Sequence, residues 1–245
     1  MPGTDHDPPS ASASALPAPL PSHPQAAQLH QILEEARAAG FLGPGPVTTH
    51  LRHAEGFVAV CRRLWPDGPA PPVLLDLGSG GGLPGLVVAT HWPEATLVLL
   101  DAQGRRTTFL SGAVRRLHLE ARVSVRQDRA EAAGRDPAFR GNFDGVLARS
   151  FGRPAVVAEC AAPLLKVGGW LVVSEPPGDS PVGPSGPSSD PLVAERWSAE
   201  PLCQLGLVPD QLVHEEFGYQ TLRQADPCPD RFPRRDGIPA KRPLF

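Results

Sequence analysis

Cysteine is scarce in this 245-residue chain, and the four present, Cys61, Cys160, Cys203 and Cys228, stand far apart without a Cys-x-x-Cys pair. That scatter argues against a disulfide scaffold and a structural zinc site, and reduced, mostly buried thiols are expected. Charge of one sign is lacking too: 23 Lys and Arg face 26 Asp and Glu, for a net charge of −3. No global field recruits nucleic acid, so such a partner must meet a local basic patch. No apolar run approaches the length of a membrane span. Residues 1–25 lack a basic stretch followed by an apolar core, so the sequence reads as cytoplasmic. Catalytic constellations are missing as well. No Cys nucleophile or Ser/His/Asp set stands out, and the eight histidines show no metal-ligand spacing. His50 and His53 share a helical face and read as surface or cap residues.

What is present is a core and a rhythm. Hydrophobic residues make up 41% of the chain, enough for one large α/β domain or two small ones. Residues 1–25 hold 15 Pro, Ala or Ser and read as a disordered tail. A helical stripe of Leu29, Ile32, Leu33 and Ala36 ends at Gly40, and a second helix spans about 47–64. These form an expected helical cap, 26–66, on a domain of 26–227. Strands are expected at 73–77, 96–101, 122–126, 143–148 and 169–174, and helices at 84–91, 104–117 and 154–165. Strands alternating with helices mean crossover connections and a parallel sheet covered on both faces. Residues 176–191 contain 13 Pro, Gly or Ser in 16 and read as a mobile insertion at the carboxyl edge. A last helix over 192–205 and a hairpin of 210–217 and 219–225, joined near Gly218, close the sheet. Residues 228–245, with Arg231, Arg234, Arg235, Lys241 and Arg242, are the one clearly basic segment.

The most informative residues are Asp76-Leu77-Gly78-Ser79-Gly80-Gly81-Gly82-Leu83-Pro84-Gly85, directly after the apolar run Val73-Leu74-Leu75. A strand running into a Gly-rich turn and a helix lets backbone approach a ligand closely. Two nucleotide ligands fit such a loop. Gly80–Gly85 satisfies the dinucleotide spacing, and Asp76, Gly78, Gly80 and Gly82 satisfy the Asp-x-Gly-x-Gly-x-Gly loop that takes S-adenosylmethionine. Asp76 favours the second, because a carboxylate repels a pyrophosphate but suits an ammonium and a sulfonium. Asp76 is therefore expected near the amino-acid end of the ligand, and Asp101, ending the second strand, on its ribose. Arg129 and Arg149, at the ends of later strands, are expected to line the same carboxyl edge.

Several blocks together resemble the bacterial 16S ribosomal RNA guanine-N7 methyltransferase family, also called the glucose-inhibited division protein B family. They are the Asp76–Gly85 loop, Leu99-Leu100-Asp101 with Gly104-Arg105-Arg106, Arg129-Ala130-Glu131, Phe143-Asp144 with Ala148-Arg149-Ser150-Phe151, and Phe232-Pro233-Arg234-Arg235 with Gly237–Lys241. The resemblance implies a Rossmann-like class I methyltransferase fold with an N-terminal helical cap. It implies S-adenosylmethionine as cofactor, contacted by Gly78, Leu83 and, on the adenine side, Ala130 and Glu131, with Arg149 near cofactor and target. With Asp76, Ser79, Gly80, Gly82, Asp101 and Arg129 these are the expected cofactor residues.

The implied substrate, guanine N7, carries a free lone pair and needs no deprotonation. Catalysis is then alignment and exclusion of water, which explains the missing catalytic set; Arg149 is the one expected positioning residue. Arg234, Arg235, Lys241 and Arg242 are expected to meet the RNA backbone. The chain departs from the family at Ser174-Glu175-Pro176, where many members carry Lys-Gly, which puts an anion near the expected RNA side. The expected partner is ribosomal RNA or the small ribosomal subunit, with no metal and no membrane, and the protein is expected to be a monomer. The alternatives are a methyltransferase of another acceptor and a non-catalytic RNA- or ribosome-binding protein of the same fold. A nicotinamide oxidoreductase is disfavoured by Asp76.

Overall fold

The computed structural model describes residues 25–66, 72–176, 196–214 and 216–245. One sheet carries the strands in the order β3-β2-β1-β4-β5-β7-β6. They are β1 (Val73–Leu77), β2 (Thr96–Asp101), β3 (Val123–Gln127), β4 (Phe143–Ala148), β5 (Leu165–Glu175), β6 (Leu207–His214) and β7 (Gly218–Gln224). Strands β1 to β5 pair in parallel. Strand β7 runs antiparallel between β5 and β6. The helices are α1 (Ala26–Ala38), α2 (Val47–Leu64), α3 (Gly85–His91), α4 (Gly104–Arg116), α5 (Ala130–Ala133), α6 (Pro154–Ala161), α7 (Ala199–Cys203) and α8 (Ile238–Lys241). The expected tail lies outside the described residues apart from Gln25, and so does the expected insertion apart from Pro176.

Alternation along the strands divides the core. Leu74, Leu97, Leu99, Leu147 and Val172 join the face covered by α1 to α4, with Ile32, Phe57, Val58 and Leu86. Leu75, Leu77, Leu100, Val146 and Leu171 join the opposite face with Val157, Ala158, Trp197, Leu202 and Phe232. Because side chains alternate along a strand, Asp76, Asp101 and Arg149 fall on the α1–α4 side. Helix α2 crosses that side very closely. A Cβ on Gly56 would lie 2.0 Å from the Tyr219 hydroxyl, which donates to the His53 carbonyl at 2.6 Å.

Four elements differ from the sequence expectation by more than one residue. Helix α6 stops at Ala161, followed by a 3-10 turn over Ala162–Leu164, because Pro163 has no N–H to continue the ladder. Strand β5 starts at Leu165 and absorbs Lys166–Gly169 as an irregularity, Phe143 pairing with Leu165 and Gly145 with Trp170. Within the expected 192–205 helix, the described residues form one only over Ala199–Cys203. Strand β6 includes Pro209, which an edge strand tolerates.

Two charged residues read as solvent-facing are built into the fold. Glu175 is 8% exposed and accepts hydrogen bonds from Trp197 Nε1 (2.7 Å) and Arg196 Nε (2.9 Å). The expected anion on the RNA side is instead neutralised internally. Arg234 is likewise not a free cation. Its Nε and Nη2 donate to both oxygens of Glu159 at 2.8 and 2.6 Å, and its backbone N–H to the same carboxylate at 2.9 Å. Glu159 is fully buried. Phe232, Pro233 and Pro239 are buried as well, so this part of the tail is packed rather than extended into solvent. Replacing Arg234 by Ala leaves a buried carboxylate unpaired, which costs about 3–5 kcal/mol. The expected result is a lower urea midpoint for Arg234→Ala, with earlier proteolytic cutting between residues 226 and 237.

Candidate cofactor and acceptor site

The site forms where the first two parallel strands end. Gly78 and Ser79 both donate to the Leu100 carbonyl at 2.9 Å, tying the loop after β1 to the end of β2. Gly78 has φ +74°, and a Cβ there would lie 2.5 Å from the Phe151 ring, so the turn and the ring's approach both require glycine. The Gly80 N–H donates to Asp101 Oδ2 at 2.9 Å, and the Gln103 N–H to Asp101 Oδ1 at 2.8 Å. Arg106 Nη1 stands 3.5 Å from the same carboxylate.

Two cavities open on either side of Gly78. One, of about 430 Å³, is lined by the glycine loop (Gly78–Gly81 and Leu83), the α1–α2 connection (Gly40–Pro44), His50, Arg106, Arg149 and Ser150. The other, of about 190 Å³, is lined by Leu100–Ala102, Asp128–Glu131, Phe151, Val156, Cys160 and Ala240, with Gly78 shared between the two. Ser150 sits at φ +53°, a conformation rare for a non-glycine residue and common at functional sites.

The expected residues thus separate into two groups. Gly78, Ser79, Gly80, Leu83 and Arg149 meet in the larger cavity, and Gly78, Asp101, Arg129, Ala130 and Glu131 in the smaller. Gly82 lines neither cavity. Asp76 does not line them either, contrary to its expected place against a ligand. It is 1% exposed and accepts the Gly85 N–H at 3.1 Å, fastening the start of α3 beneath the loop. Glu131 is also engaged, by Arg129 Nη2 at 3.1 Å and by the Gly237 N–H at 2.8 Å.

His50, expected as a surface or cap residue, stands on cap helix α2 but faces inward. It is 8% exposed, lines the larger cavity, and receives Arg149 Nη2 on Nδ1 at 2.6 Å. A guanidinium only donates, so Nδ1 is the acceptor and Nε2–H points its proton at the Gly43 carbonyl, 3.1 Å away. Arg149 Nε is buried without a partner, as is Arg106 Nε. Burial lowers the Arg149 pKa, and the charge of Asp76 opposes this. His53 is half-buried, with its pKa lowered to about 4 by burial and then by Arg149 and His50, and it stacks on Phe217 at 4.5 Å. Phe151 and Ala240 were also absent from the expected set. Asp128 was missed too, although it stands at the end of β3 as Asp101 does at the end of β2.

The sheet order and the glycine turn over its carboxyl edge define a Rossmann-like methyltransferase fold. An S-adenosylmethionine-dependent methyltransferase from Aquifex aeolicus has the same architecture, 15% identical over 78% of this chain and 97% of its own, with a TM-score of 0.52. A family profile for rRNA small subunit methyltransferase G matches residues 59–175. Ribosomal RNA small subunit methyltransferase G of Prochlorococcus marinus (strain MIT 9313) is 38% identical over 193 residues, 74% of each chain. The protein of that name from Parasynechococcus marenigrum (strain WH8102) is 40% identical over 174 residues, 69% of this chain and 66% of its own. The chain belongs to the ribosomal RNA small subunit methyltransferase G family.

Burial raises the Asp76 carboxyl from an ordinary 3.8 to about 7. The neutral acid is favoured in the fold, so its stabilising effect is complete below pH ~4 and is lost as pH rises through about 7. The Asp76→Asn variant lacks this dependence. From pH 4 to 8 the wild type is expected to lose stability relative to the variant. The loss runs at about 1.4 kcal/mol for each pH step of one between those two values, a few kcal/mol at most. Parallel urea titrations across that range measure the difference.

Proposed function

We propose that the chain transfers a methyl group from S-adenosylmethionine to N7 of a guanine in 16S ribosomal RNA. The observation that carries this reading is the pair of cavities meeting at Gly78, in a chain of this family. Their combined size suits a cofactor with an acceptor base beside it. The smaller cavity offers Asp101 to a ribose diol, since an ionised carboxylate has about four lone-pair sites and two are taken by backbone N–H groups. The adenine end then lies against Ala130 and Phe151. Above Gly78–Leu83 the larger cavity holds the amino-acid end.

When bound, the cofactor supplies an electrophilic methyl group on a sulfonium. Held by Gly78–Leu83 and Asp101, it would give that methyl to the N7 lone pair and leave as the neutral thioether, S-adenosylhomocysteine, the positive charge then resting on the purine. No proton has to leave. The protein's work is to orient the partners in line and keep water out. Arg149, held by His50, brings its positive charge to the larger cavity, where an oxygen of the acceptor or cofactor accepts a guanidinium N–H.

Tritiated methyl transfer to 30S subunits and to naked 16S RNA, followed by reductive cleavage at 7-methylguanine and mass mapping, tests the reaction. A single N7-methylated guanine is the expected product. Methyl on another atom or another macromolecule overturns the acceptor, and cofactor binding without transfer favours a non-catalytic ribosome-binding protein.

With Arg234 committed to Glu159, the exposed cations of the tail are Arg231, Arg235, Lys241 and Arg242. The last three remain the proposed RNA contacts. Replacing all three by Ala is expected to flatten the slope of log affinity against log salt by up to about 2–3 units, each phosphate contact contributing about 0.7–0.9. Cofactor affinity should stay constant in the same proteins, and an unaltered slope removes the tail from the RNA interface. No helix among the described residues is long and apolar enough to cross a membrane. The same reading has the protein working as a monomer in the cytoplasm.

A further inference from the structure

We infer that the C-terminal segment is a wall of the cofactor site, and that Ala240 sets the space left for the adenine end. The inference rests on the proposed function for the identity of the ligand, but the wall itself is geometric. Ala240 is solvent-exposed and lines the smaller cavity with Leu100, Asp101, Ala130 and Phe151. Its position is fixed from several directions. The Gly237 N–H donates to Glu131 Oε1 at 2.8 Å, one turn before Ala240. Asp236 takes Arg135 Nη2 at 2.5 Å and faces Arg129 Nε at 3.5 Å. Arg140 donates to the Phe232 and Cys228 carbonyls, both at 2.7 Å, and Arg234 locks onto buried Glu159. Packing is close as well, since a Cβ on Gly134 would lie 2.9 Å from the Pro233 ring.

These contacts reassign Glu131. The family resemblance implies it contacts the adenine side of the cofactor, yet its Oε1 holds both Arg129 and the tail. Its carboxylate acts on the ligand by holding α8 against the opening, and Ala240 is the residue that α8 presents there. A methyl group leaves the cavity open, and a larger side chain at 240 fills it. The basic surface of the tail and its cavity-facing surface are thereby parts of one anchored segment. A nucleic-acid arm free of the fold would bear on no cofactor at all.

Calorimetric titration of the full chain with S-adenosylhomocysteine tests this. Ala240→Trp is expected to weaken binding about tenfold or more, the scale reached when an added group must displace packed neighbours. Val208→Trp, a control at an exposed position of edge strand β6, should bind as the wild type does. Amide exchange on the unmutated protein gives a second readout that needs no variant, with Gly237–Lys241 expected to exchange more slowly once the ligand is bound. Wild-type-like affinity in Ala240→Trp, or unchanged exchange at 237–241 under saturating ligand, overturns the wall. Absence of binding to the wild type would instead overturn the proposed function, so the two failures are distinguishable.

Discussion

Asp101 receives the Gly80 N–H on one oxygen and the Gln103 N–H on the other, so the turns after β1 and β2 share one carboxylate. Both bonds are charge-assisted, and Asp101 is only 4% exposed, an environment in which such bonds are strong and unpaired donors expensive. The two N–H groups belong to backbone that no helix or strand ladder satisfies. Without the carboxylate, the glycine turn keeps its freedom but loses its shape. With it, Gly78 stays under Phe151, and Arg106 is drawn toward Asp101 at the side of the larger cavity. The glycines permit this geometry, and Asp101 selects it.

The parallel strands were legible because both faces of the sheet are covered, which leaves near-continuous apolar runs such as Leu97–Leu100. Legibility failed where a local rule met a tertiary exception. The expected strand begins at Asp210, yet β6 takes in Pro209, which an edge tolerates. Lys166-Val167-Gly168 falls between the expected helix and the expected strand, yet it is carried within β5 beside an irregularity in its pairing with β4. Strand β3 was displaced by a single residue, within the usual uncertainty of element ends.

The site was legible to the extent that it consists of strand ends. Asp101 and Arg149 follow apolar runs and Arg129 follows the end of β3, and the carboxyl edge of an open sheet is where ligands bind. Pairing was not legible. Arg234 and Glu159 are 75 residues apart and Arg149 and His50 are 99 apart, and no local pattern joins them. Charge read from a linear sequence defaults to solvent, so Glu175 and Arg234 were assigned outward although each meets a partner inside. Asp76 differs for a subtler reason. Alternation placed it on the correct face, but that face is where α3 begins, and one oxygen of the carboxylate takes the Gly85 N–H.

Glu175 joins two stretches of the chain. The chain passes Pro176 and returns at Arg196 and Trp197, and both of these hold the same carboxylate. Pro176 and Arg196 are therefore held at nearly one point, and the end of β5 is clamped to the residues that lead into α7. Because β5 runs parallel to β1, a module grafted there emerges on the same edge as the glycine turn. The scaffold has a place to acquire new substrate recognition without rebuilding its catalytic end.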